Sequence, residues 1–167
     1  MKRIYTILIS ACLSLLLLTS SCSLFGPGGK IVASRLVTQT DAEKISGTQM
    51  LLSSEETSER ESSCLYRDAA AEEDSYLQAT FRTFASEEAG REAEIVTRTV
   101  KAEYGKIVPV EGIGDSAWLE TDDISRTLHV RRGATLFLIS ATGGGADHDP
   151  RALEEMQRVA KAAALRL

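Results

Sequence analysis

Ser116-Ala117-Trp118-Leu119-Glu120, Thr127-Leu128-His129-Val130-Arg131 and Thr135-Leu136-Phe137-Leu138-Ile139-Ser140-Ala141 follow one another with only turn-type residues between them. β-branched, aromatic and alternating residues in short runs read as strands. Arg132-Gly133 between the last two reads as a tight hairpin turn. In the middle run Leu128 and Val130 take the inward positions, which points His129 outward. Gly143-Gly144-Gly145 closes the sheet, and Asp149-Pro150 is an N-cap followed by proline at the first helical position. Beyond it Leu153, Met156, Ala160, Ala163 and Leu167 form the core-facing stripe of a C-terminal helix.

Working toward the N-terminus, Ser86 caps a helix expected over 86–104, with Glu87 and Glu88 in its first turn and Gly105 as its stop. Ala89, Ala93, Val96, Val100 and Tyr104 recur at helical spacing and are expected to be its core-facing side. Residues 64–69 and 76–84 read as strands, joined by an acidic turn at 70–74. Residues 53–62, rich in Ser and Glu, read as a mobile loop. Thr40-Asp41-Ala42-Glu43 fits a capping box that opens a short helix over 41–46, closed by Gly47. The order αββ-αβββ-α with short β-to-β links predicts an α+β fold. It would have an antiparallel sheet of four to five strands, with two long helices and one short helix on one face.

The chain has 167 residues, 43% hydrophobic and 26% charged, which suits one globular domain. Aromatic residues are 5%, so the core rests on Leu, Ile, Val and Ala. A net charge of −5 argues against phosphate-driven binding of nucleic acid. Acid is concentrated in residues 41–94, while acids and bases balance over 95–167.

The N-terminus reads differently from the body. Lys2 and Arg3 precede an apolar run over 4–18, and Thr19-Ser20-Ser21-Cys22 follows. A positive region, an apolar stretch and small residues are the three parts of a secretory signal. The run is shorter than the ~20 residues a membrane-spanning helix needs. Leu18-Thr19-Ser20-Ser21-Cys22 resembles the lipobox of bacterial membrane lipoproteins. The resemblance implies cleavage before Cys22, lipidation of its sulfur and a firm anchor, since two or more acyl chains hold a protein stably where one does not. It gives a signal peptide over 1–21, a Gly/Pro-containing tether over 22–34 and a single domain over 35–167. Cys12 mimics the motif but lies inside the apolar run. In a Gram-negative host, Ser23 after the cysteine implies the outer membrane. Cys64 is then the one cysteine of the body outside this motif, and its strand setting reads as a buried, inert thiol.

Gly112-Ile113-Gly114-Asp115-Ser116-Ala117-Trp118 is the sharpest motif of the body. A strand follows it where a phosphate loop would need a helix, so it reads as a structural turn, with Asp115 bonding nearby backbone amides. Gly112, Gly114, Asp115 and Trp118 are the candidate binding or structural residues, with Trp118 either core or an exposed anchor. Asp147-His148-Asp149 offers metal-type ligands, but adjacent residues do not converge readily on one ion, and helix capping is the better reading. No cofactor and no catalytic residue is expected. With Cys64-Leu65-Tyr66 and Asp41-Ala42, the Gly112 motif also resembles segments of uncharacterised small lipoproteins best known from actinobacteria. The function expected is a non-enzymatic envelope lipoprotein that binds an envelope protein or other component. The alternatives are a small-ligand carrier using a cleft between sheet and helices and, behind it, a hydrolase.

Overall fold

A computed structural model describes residues 30–70, 75–143 and 149–167. Cys22, Cys12 and the whole signal segment lie outside the described residues, as do Asp147 and His148. The described chain runs through α1 (Ala33–Leu36), α2 (Gln39–Ser46), β1 (Met50–Thr57), β2 (Glu61–Asp68), β3 (Tyr76–Thr83), α3 (Glu87–Lys101), β4 (Lys106–Val110), β5 (Ser116–Thr121), β6 (Ser125–Arg132), β7 (Thr135–Thr142) and α4 (Pro150–Ala164). The seven strands form one antiparallel sheet in the order β1-β2-β3-β7-β6-β5-β4.

This corrects the expected architecture of four to five strands in the order αββ-αβββ-α. The two strands not foreseen are the sheet's edges. β1 occupies the first half of what reads as a mobile loop, and β2 begins before that stretch ends. β1 exposes every residue from Leu51 to Thr57 and carries an irregularity between Leu52 and Ser54, so it shows no alternation of buried and exposed side chains. β4 contains Pro109, which lacks a ladder donor and is tolerated at an edge. The expected capping box also shifts: Thr38 is the N-cap of α2, its hydroxyl taking the Asp41 amide while the Asp41 carboxylate takes the Thr38 amide.

Helices on one face is the third correction. On the first face Leu77, Ala79 and Phe81 of β3, Phe137 and Ile139 of β7, and Leu128 and Val130 of β6 are buried against α1, α2 and α4. Tyr66 donates its hydroxyl to the Val37 carbonyl at 2.7 Å and ties the sheet to the α1–α2 link. Arg158 of α4 reaches Asp41 of α2 at 3.1 Å. Ala33 is fully buried in this core, so the packed body already includes the end of the segment read as tether. On α4, Met156, Ala160 and Ala163 are buried and Leu153 packs against the core, as does Leu167 beyond the helix end.

α3 lies on the second face. Its contact with the sheet is made by Gly90, where a Cβ would sit 3.3 Å from the Ala134 backbone, and by Glu94, one of its two buried residues. Val96 is 63% exposed, Val100 49% and Tyr104 80%. Of the apolar stripe expected to be core, Ala89 and Ala93 are half-buried while Val96, Val100 and Tyr104 are exposed, and Gly90 and Glu94, one residue round, hold the helix down.

Candidate functional site

The second face presents cross-strand rows set by the register. Pairing places Gln78, Ser140, Thr127 and Glu120 in one row; Thr80, Leu138, His129 and Trp118 in the next; and Arg82, Leu136, Arg131 and Ser116 in the third. α3 packs over β6 and β7 and reaches β5 through the side chains of Glu94 and Lys101. Lys101 at its C-terminal end bonds Glu120 at 3.0 Å. Glu94 bonds Arg131 Nε at 2.8 Å and accepts from the Ser116 hydroxyl. Toward β3 the sheet is left open beside the helix. A trough of about 780 Å³ results, its wall formed by Ala89, Ala93 and Val96 and its floor by Leu136 and Leu138.

Trp118 lies at the inner end of the middle row, 2% exposed, stacked on His129 with ring centroids 3.6 Å apart and planes 7° from parallel. Of the two alternatives, core or exposed anchor, it is the buried one, outside the first-face cluster. His129 faces away from Leu128 and Val130, but α3 covers it instead of solvent. Its Nε2 lies 3.0 Å from Glu120 Oε2. Burial lowers the ring's pKa to about 4, against the pull of Glu120, so at neutral pH the ring is uncharged and Nε2–H donates to the carboxylate. The ion pair at Glu120 is thus the one with Lys101, and Nδ1 remains an acceptor.

The motif at Gly112 lies outside the trough. Gly112 and Gly114 both have positive φ, 77° and 59°. A Cβ on Gly114 would overlap the Arg131 carbonyl oxygen and come within 2.7 Å of Val130 Cγ1. The Asp115 carboxylate accepts from the Gly133 amide at 2.7 Å, from Arg132 at 2.9 Å and from Arg131 at 3.2 Å. These donors hold the carboxyl below its ordinary range. Asp115 therefore fastens the β6–β7 turn, eighteen residues along the chain, and through Arg131 it adjoins Glu94. Of the four candidate residues, the structure brings only Trp118 into the trough.

Sequence reasoning missed Glu94, Lys101, Glu120 and Arg131 as a set. Glu94 and Lys101 are seven residues apart on one helical face, which is the signal that would have found them. Cys64 is on the first face, 1% exposed, and burial pushes its thiol up to about 12. Asp149 caps α4 by accepting the Arg151 amide. Among the described residues no group of three or more His, Cys, Asp or Glu side chains could hold a metal ion. Among them also, no helix is long and apolar enough to cross a membrane. No family model matches the chain, and no curated protein or solved structure is significantly similar to it.

Proposed function

We propose that this chain is a lipid-anchored protein of the cell envelope, held through Cys22, whose domain is a non-enzymatic binding module taking a small ligand in the trough beside α3. The trough carries the reading. Its volume of about 780 Å³ falls in the range of small-molecule sites, and Ala89, Ala93, Val96, Leu136 and Leu138 give it apolar surface among polar side chains. A hydrolytic role has less support. His129 is tied to Glu120, no hydroxyl or thiol hydrogen-bonds its ring among the described residues, and Cys64 faces the opposite side of the sheet. In a Gram-negative host the anchor would sit in the outer membrane, following Ser23.

The test is native mass spectrometry of the full chain purified from its own membranes. Wild type is expected in the membrane fraction with a small noncovalent adduct. Leu138→Arg, on the trough floor, should keep the anchor and the fold and lose the adduct, while Cys22→Ala should lose membrane attachment and lipid labelling. An adduct retained by a folded Leu138→Arg protein would contradict the site, and labelling unchanged by Cys22→Ala would contradict the anchor. The exposed row Val96, Val100 and Tyr104 favours a second reading, a protein docked along α3. Co-purification of a stoichiometric protein, with no small adduct, would select it.

A further inference from the structure

We propose that the trough holds a neutral single-chain amphiphile: an acyl chain lying on Leu136 and Leu138, with an uncharged, hydroxyl-bearing headgroup at Gln78, Ser140 and Thr127. This rests on reading the trough as a ligand site. Two observations carry the choice of ligand.

The first is the order of polarity along the trough. Along β7 the floor passes from Leu136 through Leu138 to Ser140, so that strand turns from apolar to polar at the third row, with Thr80 and Arg82 of β3 beside the two leucines. Gln78 and Thr127 flank Ser140 in that third row. The Thr127 and Ser140 hydroxyls bond each other at 2.9 Å, and each keeps acceptor capacity beyond that bond. The α3 residues that line the trough run from Ala89 to Lys101, a rise of ~18 Å. That shape suits an extended chain with one polar end better than a compact polar molecule.

The second is charge. Each cation bordering the trough is already engaged: Lys101 with Glu120 at 3.0 Å, Arg131 with Glu94 and Asp115, and Arg82 with Glu61 at 2.6 Å. The carboxylates Glu94 and Glu120 are engaged by the same pairs. Glu92 also borders the trough and adds a further negative charge to it. An anionic headgroup would have to share a cation with the carboxylate already paired to it and meet that carboxylate's charge, which a neutral headgroup does not.

The test uses Trp118, the one tryptophan of the chain, as reporter. The full chain, transferred from detergent to amphipol, is titrated with 1-monolauroylglycerol below its aggregation concentration. Laurate and a basic amphipathic helical peptide are titrated in parallel. A saturable change in Trp118 emission at one equivalent of the monoacylglycerol is expected, with laurate weaker by roughly tenfold or more. Leu138→Arg should abolish the response, and Ala93→Phe, which fills the trough from the helix side, gives the same test should Leu138→Arg fail to fold. Laurate binding as tightly as the monoacylglycerol, or a response to the peptide alone, would overturn the neutral amphiphile and leave the binding reading standing. Silence toward all three probes would overturn both.

Discussion

Asp115 joins two turns that are distant in sequence. Its own amide donates to the Arg131 carbonyl at 2.8 Å while its carboxylate holds the Gly133 amide. Asp115→Ala should cost about 1.5 kcal/mol, the low end for a charged hydrogen bond because the carboxylate is partly exposed, measured as a fall in the urea midpoint. Gly114→Ala should cost more, at least about 2 kcal/mol, because positive φ and the Arg131 carbonyl both oppose a Cβ. Equal stability of the two variants would contradict this geometry. The sequence read this motif as a turn before a strand. It could not name Gly133 and Arg132 as partners, since only the β5–β6 register brings them beside Asp115. His129 governs the response to acid. Unfolded, the ring takes a proton near its ordinary 6.5; folded, burial holds that off until about pH 4. Stability from this residue is therefore whole above about pH 6.5, falls between 6.5 and 4 by up to about 3 kcal/mol, and changes no further below that. Asp115 and Asp122, both held low, act only as pH falls below their ordinary 3.8. His129→Gln should flatten the 6.5-to-4 limb, and a wild-type stability curve flat over that window would refute a buried neutral ring.

At the scale of elements, α3 is the helix whose start was readable, while its end, at Lys101 with Ala102 as C-cap and not at Gly105, and its orientation were not. Ser86 caps it by accepting the Ala89 amide, as its position predicts. The apolar stripe through Val96 and Val100 pointed to one face, while the sheet receives Gly90 and Glu94. Periodicity reports which side of a helix is apolar; it does not report that a buried pair holds the other side down. Glu94→Gln leaves Arg131 buried with a weaker acceptor and should destabilise by about 2–3 kcal/mol, read from thermal melts. α3 amides should then exchange faster than those of α4, and uniform exchange across both helices would show that Glu94 does not anchor α3. The edge strands were illegible for related reasons. β1 shows water every residue from Leu51 onward, and Pro109 in β4 is a residue that argues against a strand unless the strand is an edge. β7, buried at alternate positions, and the hairpin turn that joins it to β6 were legible because one face of the strand is core.

Over the whole molecule, the two faces of the sheet do different things. The first is closed by α1, α2 and α4 around Leu77, Phe81, Leu128 and Ile139, and it accounts for the folded state. The second is half covered by one helix held through Glu94, Lys101 and a close glycine contact, and the open half is the trough. Such a division leaves a stable core behind a surface free to bind. The lipid anchor proposed at Cys22 would keep that surface at a membrane, where an acyl ligand is abundant. The most direct measurement is photo-crosslinking in living cells, with p-benzoylphenylalanine in place of Val96 on the exposed wall of the trough. Irradiation should add a mass of lipid size to the intact protein, and the adduct should vanish with Leu138→Arg. A crosslink of protein size, or a small adduct that survives Leu138→Arg, would contradict a ligand site between α3 and the sheet.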